Sequence, residues 1–388
     1  MRNHIIRLLA CCVCLFPLFK VTAYDFIYNN VAYRFNPDSV SVYVTYKSKG
    51  SVVNYNSAII TIPETVVYKA HRYKVTAIGD SAFHYSMQLS GIKMSDNVRS
   101  IGRAAFWGCG LFTVTLSDSL TTIDDDAFYD CTLLRKITIP ASVTHIGEKA
   151  FAACNKMSSI DVSSENAVYD SRDNCNAIIE TATNTLLSGC STTVIPSSVT
   201  AIGDYAFDHM GGFNLIIIPN SVRSIGNSSF RGIGSLSLAL LGDSVESLGD
   251  YAFADCPNLK TMRLSKSLNR VGKYAFYNDN GLDLTLSANV EAGPMRFSGG
   301  TLNLLADVTA LGSIYVAPDS IYSLANTPPE CDENTFLSYD AVLHVQPSAV
   351  DAYRNDDIWS RFTIVADDAV QPVDSLYFVR DSFVNNSC

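Results

Sequence analysis

The chain has 388 residues, of which 47% are hydrophobic, 17% charged and 11% aromatic. This composition is typical of a folded protein with a large core and excludes a disordered chain. The formal net charge is −10 and there is no basic block, which argues against a nucleic-acid backbone or an anionic membrane surface as the partner.

The first 23 residues predict an export signal. Arg2 and Arg7 precede an apolar run over residues 8–19, and the short residues after it place the expected cleavage after Ala23. The run has about a dozen residues, fewer than the ~20 that a helix needs to span a bilayer, which favours a signal over an anchor. Cys11 lies in a lipoprotein-like "LLAC", but the apolar stretch before it is too short to favour lipidation.

Residues 24–74 predict an N-terminal β cap. The segments "SVSVYVTY" (39–46) and "AIITIP" (58–63) are rich in alternating apolar residues, as half-buried strands are. An end coil of a stacked array exposes its core and an unpaired strand edge, so we expect these strands to seal that end.

A six-residue motif recurs eight times in the following part of the chain. It reads "IGDYAF" at residues 202–207, and successive copies are 22 or 23 residues apart except for one interval of 56. The copies begin at residues 78, 101, 123, 146, 202, 225, 248 and 271. A period in the twenties is the signature of a solenoid, so residues 75–300 are assigned to one.

Each residue type in the repeat unit has a physical task. Ile137 and Ile139 alternate with polar residues in a short strand, and Val143 and Ile146 form a second apolar wall. The motif glycine favours a tight turn with positive φ or a close approach of two backbones. One unit cannot bury two apolar faces alone, so neighbouring units must stack and share a core. The motif phenylalanines are then expected in one internal row: Phe83, Phe106, Phe128, Phe151, Phe207, Phe230, Phe253 and Phe276.

Four cysteines occur in phase with the repeat, three residues after its phenylalanine. They are Cys109, Cys131, Cys154 and Cys256. A thiol that recurs in phase predicts a small buried packing residue. Cys175 and Cys190 could form a disulfide after export, and the sequence leaves this pairing open. No cysteine spacing resembles a CxxC metal site.

The remaining segments interrupt or close the array. The interval of 56 residues predicts an inserted hairpin near residues 162–193, which we expect to pack against the flank of the solenoid. Residues 301–366 are assigned to C-terminal degenerate repeats and a cap, with a short helix near 348–354 and with Trp359 and Phe362 plugging the end. Residues 367–388 form a tail that departs from the pattern.

The unit L-x-x-I-x-I-P-x-S-V-x-x-I-G-x-x-A-F-x-x-C resembles the BspA-like, treponemal-type leucine-rich repeats of bacterial surface proteins. The segments "AYDFIYNNVAYRF", "VYDSRDNCNAIIETATNTLLSGC" and "SLANTPPECDENTF" also look like parts of that family. The resemblance covers about residues 24–366. It implies a leucine-rich repeat solenoid, mainly β with short helical or irregular convex segments, capped at both ends. It also implies an exported protein at the cell surface or outside the cell, since some members resemble adhesins for host matrix proteins.

Patterns that would indicate catalysis or metal binding are missing from the sequence. The histidines lie without partners at triad or ligand spacing: His71, His84, His145, His209 and His344. The acidic run 124–126 lacks the further oxygen ligands and the glycine of a calcium loop, so an exposed turn is the favoured interpretation. The sequence therefore predicts no enzyme activity, no cofactor and no metal.

The candidate site is an apolar stretch on the outward face of the strands. In most repeats the side chains that point away from the core are polar. In three consecutive coils they are apolar, which predicts a solvent-facing ribbon of a kind that soluble proteins seldom leave unused. The predicted ligand-binding residues are Val194, Leu215, Ile217, Leu238, Leu240 and, at the polar edge, Arg263.

Two structural alternatives stay open for this ribbon. The insert or a neighbouring domain could cover it, or the strand register could slip by one residue and exchange the faces. The predicted function is protein binding or adhesion through the sheet face, with a host extracellular-matrix or cell-surface protein as the partner. Nucleic acid is not expected as a partner, nor is membrane insertion after signal cleavage. The alternative functions are a structural surface spacer without a specific ligand and a carbohydrate-binding accessory protein.

Overall fold

The computed structural model describes residues 23–47, 55, 58–287 and 289–368. Residues 1–22 of the predicted export signal and residues 369–388 of the predicted tail lie outside this set. Within it, no helix combines the length and the apolar character that a bilayer crossing requires. The chain forms a β-solenoid of about 12 turns with very little helix, which confirms the predicted fold class.

The N-terminal segment forms a meander that continues into the solenoid. Its strands are β1 (Phe26–Tyr28), β2 (Val31–Phe35), β3 (Ser41–Thr45), β5 (Thr65–Tyr68) and β6 (His71–Ile78), with β4 (Ile59–Ile62) lying on another side of the coil. β1, β2 and β3 pair antiparallel, and β3 then pairs parallel to β6. Since β6 also pairs parallel to the first short repeat strand at residues 100–101, the meander covers the edge of the stack.

One side of each coil is a wall of longer strands, which we call the long-strand wall. It contains β4, β7 (Gly91–Met94), β9 (Thr113–Thr115), β11 (Lys136–Ile139), β13 (Ser159–Val162), β18 (Leu215–Ile217), β20 (Leu238–Leu240), β22 (Thr261–Arg263), β24 (Asp283–Leu286), β26 (Thr301–Leu304), β27 (Ser320–Ser323), β28 (Val342–Val345) and β29 (Thr363–Ala366). Paired neighbours run parallel, in three sheets: β4 to β9, β11 with β13, and β18 to β29. Alternation buries Ile137 and Ile139 and exposes Lys136 and Thr138, as the sequence predicts.

A second side is a wall of mostly two-residue strands, the short-strand wall. It contains β6, β8 (Ser100–Ile101), β10 (Thr122–Ile123), β12 (His145–Ile146), β14 (Tyr169–Asp170), β15 (Ile178–Glu180), β16 (Thr185–Ser188), β17 (Ala201–Ile202), β19 (Ser224–Ile225), β21 (Ser247–Leu248), β23 (Arg270–Val271) and β25 (Glu291–Ala292). The sheet breaks between β12 and β14. The apolar second residue of six short repeat strands is buried in the core, and Ile146 is partly buried. The six are Ile101, Ile123, Ile202, Ile225, Leu248 and Val271.

The third side consists of tight turns that carry the motif phenylalanines. From Phe83 to Phe151 neighbouring rings stack at centroid distances of 5.1, 5.0 and 5.4 Å. A second stack runs from Phe207 to Phe276. All eight rings are fully buried, which confirms the predicted internal position, but they form two stacks instead of one row. The ring of Tyr55, 4.7 Å from that of Phe83, extends the first stack toward the N-terminus.

The motif glycines serve close approach and not positive φ. None of the seven, all within the described ranges, has a positive φ. A Cβ on Gly147 would lie 2.4 Å from the backbone nitrogen of Asp125 in the preceding coil, a distance that no real Cβ tolerates. Positive φ occurs instead two residues after the glycine position in every copy. The residues are Ser81, Ala104, Asp126, Lys149, Tyr205, Ser228, Tyr251 and Tyr274.

The four in-phase cysteines are buried, as predicted, and each also donates a hydrogen bond. The thiol of Cys131 donates to the carbonyl of Phe106 at 3.1 Å. The same bond joins Cys109 to Phe83 at 3.0 Å, Cys154 to Phe128 at 3.2 Å and Cys256 to Phe230 at 3.2 Å. The thiols therefore connect neighbouring coils, which packing alone did not predict. Cys175 and Cys190 are separate buried thiols in this structure.

The insert is part of the stack and does not lie on its flank. β15 and β16 form the predicted antiparallel hairpin, but β16 also pairs parallel to β17. The expected flank position is wrong because β16 takes the place of a repeat strand in the short-strand wall. Gly189 occupies the phenylalanine position of this coil: its N–H donates to the carbonyl of Ala206, just as that of Phe83 donates to Ala105.

The C-terminal coils end in an aromatic plug. Helix α1 (Val350–Arg354) follows a 3₁₀ turn at Pro347–Ala349, and further 3₁₀ turns lie at Trp359–Arg361 and, within the insert, at Arg172–Asn174. Trp359 is fully buried, its indole N–H donates to the carbonyl of Pro329 at 2.8 Å, and its ring contacts that of Phe336. Phe362 is 5% exposed, so both predicted plug residues close this end.

Candidate functional site

The register of the long-strand wall brings four of the predicted site residues together. Leu215 lies opposite Leu238, and Ile217 lies opposite Leu240, on the adjacent strands β18 and β20. We call these four side chains the aliphatic patch. Their alignment follows from the repeat, because a constant spacing of 23 residues places equivalent positions side by side.

The strands present the faces that the sequence predicts. Ile216 and Ala239, which alternate with the patch residues, are 6% and 0% exposed. Their side chains fill the core, so the patch side chains lie on the opposite face of the sheet. The alternative of a register slip is therefore wrong. The hairpin of the insert pairs within the short-strand wall and does not pair across β18 or β20.

The aliphatic patch is less exposed than predicted. Leu215, Ile217 and Leu238 are half-buried, and Leu240 is only 5% exposed. The expectation that all of them face solvent is wrong for Leu240. Its register neighbours are Ile217 on one side and Arg263 on the other. The side chain of Arg263 is itself only 11% exposed, so it lies along the sheet instead of projecting into solvent.

Val194 does not join the patch. It is 74% exposed, but it lies outside any strand, in the gap of the long-strand wall between β13 and β18. Its N–H donates to the carbonyl of Cys175 at 3.2 Å. The backbone of Val194 therefore bonds to the insert, and not to another strand of the long-strand wall. The expected ribbon of three coils is therefore wrong, and the contiguous apolar surface spans two strands.

Arg263 forms the polar border of the patch, at the position that the sequence predicts. Its guanidinium lies 4.0 Å from the carboxylate of Asp243. Thr285 and Asn303 occupy the same outward strand position in the two following coils. An apolar centre with a charged and polar rim is the usual anatomy of a protein contact surface.

Sequence reasoning missed an aromatic pair on the same outward face. The ring of Tyr322 stacks on that of His344 at 4.3 Å with an interplanar angle of 9°. Nδ1 of His344 lies 3.1 Å from a carboxylate oxygen of Asp367. The signal was present in "SIYS" and "VLHV", because alternation places both rings at the outward position that Ile217 holds in its own coil.

The described residues contain no group of three His, Cys, Asp or Glu side chains able to hold a metal ion. The acidic run 124–126 makes structural hydrogen bonds in its turn. Oδ1 of Asp124 accepts from the N–H of Asp125 at 2.8 Å, and Oδ1 of Asp125 accepts from the N–H of Glu148 at 2.9 Å. The second of these bonds ties one coil to the next.

An open cleft of about 1090 Å³ lies where the coils become shorter. In a wide coil, the N–H of Phe83 donates to the carbonyl of Ala105 in the next coil. At the cleft, the equivalent N–H of Phe276 donates to the carbonyl of Met295, so fewer residues separate the two bonded positions. The narrower coil leaves a corner of the wider one uncovered. Arg270, Lys273, Asp250 and Asn269 line this cleft, so its rim carries charges of both signs.

Comparison with known families identifies the repeat. The profile described as "BspA type Leucine rich repeat region" matches six copies over residues 76–183 and 182–300. These ranges cover more than half of the chain, and the chain belongs to this family. No curated protein matches it by sequence.

Two solved structures share the fold with TM-scores just above 0.5, at low sequence identity. A leucine-rich repeat protein from Bacteroides ovatus is 21% identical with a TM-score of 0.51, over 84% of this chain and 86% of that one. The pneumococcal vaccine antigen PcpA is 17% identical with a TM-score of 0.52, over 90% of this chain and all of that one. A leucine rich cell surface protein from Faecalibacterium prausnitzii is 22% identical with a TM-score of 0.43, over 74% and 89%.

Proposed function

We propose that this chain is an exported protein-binding or adhesion module that contacts its partner through the aliphatic patch. The observation that carries the proposal is the register alignment of Leu215 with Leu238 and of Ile217 with Leu240 on the outward face. Adjacent apolar side chains on the outward face of two neighbouring strands cost solubility, and a contact partner explains their presence. The partner class is a host extracellular-matrix or cell-surface protein.

Export is supported by the first 23 residues, whose basic start and short apolar run favour a cleaved signal. Expression of the full chain in a bacterium with a general secretion pathway tests this. We expect the protein outside the cytoplasm, with a mature N-terminus at Tyr24 in its mass spectrum. Intact cytoplasmic protein that still begins at Met1 would contradict it.

The contact surface is tested by binding of residues 24–388 to immobilised, purified extracellular-matrix proteins. The variant Leu215→Ser/Leu238→Ser makes the patch polar, and we expect it to lose at least tenfold in affinity. Thr113→Ser/Lys136→Ser is the matched control, because these residues occupy the equivalent strand position on β9 and β11. Circular dichroism establishes that both variants are folded.

Two outcomes would contradict the proposal. Equal binding by the wild type and the patch variant would place the contact elsewhere on the chain. The absence of binding to every matrix protein would favour a structural spacer or a ligand that is not a protein.

A further inference from the structure

The stack of coils has a seam between residue 152 and residue 200. The two phenylalanine stacks end there at Phe151 and begin again at Phe207. Both walls also break at this place, the long-strand wall after β13 and the short-strand wall after β12. The cause is the insert, whose coil follows a shorter path and carries Gly189 at the phenylalanine position.

The seam interrupts a hydrogen-bond pattern that the other coils maintain. In the coil of Phe207, the N–H groups of Tyr205 and Phe207 donate to carbonyls of the next coil at 2.9 and 2.7 Å. The equivalent groups at the seam belong to Lys149 and Phe151. Among the described residues, neither of these two N–H groups has a hydrogen-bond acceptor. The carbonyl of Asp204, in the coil of Phe207, likewise receives no described donor.

Lys149, Phe151 and Asp204, which carry these groups, are among the residues that line a cavity of about 160 Å³. Leu187 and Ser188 of the insert line it as well. Phe151 is 1% exposed, and a buried backbone donor without a partner is rare in folded proteins, since it costs about as much as a lost hydrogen bond. The residues that line the cavity therefore carry two unpaired donors and one unpaired acceptor, next to the apolar residues Phe151 and Leu187.

The mouth of the cavity carries an aromatic ring and charged groups. The ammonium of Lys149 lies 4.0 Å from the ring centroid of Tyr205. Glu148 and Asp204 also line the cavity and are exposed, so it opens to solvent on their side. An aromatic face flanked by carboxylates and an ammonium group suits a ligand that has both apolar ring faces and hydroxyl groups.

We propose that this seam cavity binds the acetamido group of an N-acetylated hexosamine. The acetamido carbonyl accepts from the N–H of Phe151 or Lys149, and its N–H donates to the carbonyl of Asp204, which replaces the missing inter-coil bonds. The methyl group packs on Phe151 and Leu187. The sugar ring then lies at the mouth, against Tyr205. This site is separate from the aliphatic patch and does not depend on it.

The test uses N-acetylglucosamine as the probe and glucose as the matched sugar without the acetamido group. In saturation-transfer NMR with residues 24–388 we expect a signal for N-acetylglucosamine, strongest at its methyl group, and none for glucose at the same concentration. Free ε-N-acetyl-lysine carries the same acetamido group on an alkyl chain. Equal or tighter binding of acetyl-lysine would overturn the assignment to a sugar.

Matched variants locate the site. Ser188 lines the cavity and Ser197 lies outside it, exposed, in the same region of the chain. We expect Ser188→Leu to fill the cavity and weaken binding at least tenfold, and Ser197→Leu to leave it unchanged. At the mouth, Tyr205→Ala is expected to weaken binding several-fold, whereas Tyr251→Ala, at the same motif position two coils further on, is not.

If Ser188→Leu does not fold, Tyr205→Ala and Tyr251→Ala test the site instead. Tyr205 is a turn residue with only part of its surface buried, so we expect its alanine variant to fold. Binding that is equal in Tyr205→Ala and Tyr251→Ala would overturn the proposal. The absence of any N-acetylglucosamine signal from the folded wild type would also overturn the proposal. That result would indicate that water, and not a sugar, hydrogen-bonds to the unpaired backbone groups.

Discussion

The ring of Phe207 occupies the space into which a side chain at Gly189 would project. A Cβ built on Gly189 would lie 2.1 Å from Cε1 of Phe207 and 2.4 Å from Cζ. That ring cannot move away, because it stacks on Phe230 at 5.0 Å and contacts Phe213 edge-on at 6.0 Å. The second phenylalanine stack therefore begins on a glycine, and the insert coil fits the array only because this position has no side chain.

Gly189→Ala is expected to destabilise the protein by about 1–3 kcal/mol, the usual cost of overpacking a dense core. The measurement is the free energy of unfolding from urea titration. Gly234→Ala is the matched control, because a Cβ at Gly234 would have no atom within 4 Å. Similar losses for the two variants would show that the contact with Phe207 is not the cause.

Phe128→Ala is expected to cost about 3–5 kcal/mol, since it removes a fully buried ring and leaves a cavity. The ring lies between those of Phe106 and Phe151, at 5.0 and 5.4 Å. Phe128→Leu keeps most of the apolar volume, so it should recover more than half of that loss. Chemical denaturation of both variants measures this, and a leucine variant as unstable as the alanine variant would indicate that ring stacking, not volume, dominates.

Asp279 occupies the position that cysteine holds in four other coils, and it is expected to make stability depend on pH. It is 1% exposed, and within the described residues its Oδ2 has no hydrogen-bond partner. Burial raises the pKa of this carboxyl to about 9, with a smaller contribution from Asp255. The N–H of Cys256, which donates to Oδ1 at 2.7 Å, acts in the opposite direction.

The sign follows from proton binding. Between an unfolded pKa near 3.8 and a folded pKa of about 9, the folded protein holds a proton at Asp279 that the unfolded chain has released. Stability from this group is therefore lost as pH rises through that window. We expect the free energy of unfolding of Asp279→Asn, relative to wild type, to increase by up to about 1.4 kcal/mol per pH unit between pH 5 and 8. A difference that does not change with pH would contradict this.

The in-phase thiols are expected to be unreactive in the folded protein. Burial raises the pKa of Cys109 and of Cys154 to about 12, and it also raises the pKa of Cys131 well above its ordinary value. Because the thiolate is the reactive form, N-ethylmaleimide at pH 8 should not label these residues until denaturant is added. Peptide mass spectrometry measures the labelling, with the unfolded chain as the control. Rapid native labelling of Cys131 would show that the coils open locally.

The sequence by itself determined the repeat architecture. The motif spacing, the alternation in the strands and the buried phenylalanines are local patterns, and each coil makes its contacts with its neighbours in sequence. For the same reason the faces of β18 and β20 followed from alternation alone. These features need only the period and the side-chain geometry of a strand.

Only the tertiary structure decided how the insert enters the array and what surrounds the candidate site. Whether β16 joins the short-strand wall depends on its pairing with β17, which no local pattern encodes. The low exposure of Leu240, which lies opposite Arg263, is a further property that alternation along the strand did not predict. The unpaired backbone groups at Lys149 arise because the insert displaces a coil. Burial and hydrogen bonding of this kind are properties of neighbouring chains in space, so the sequence pattern could not specify them.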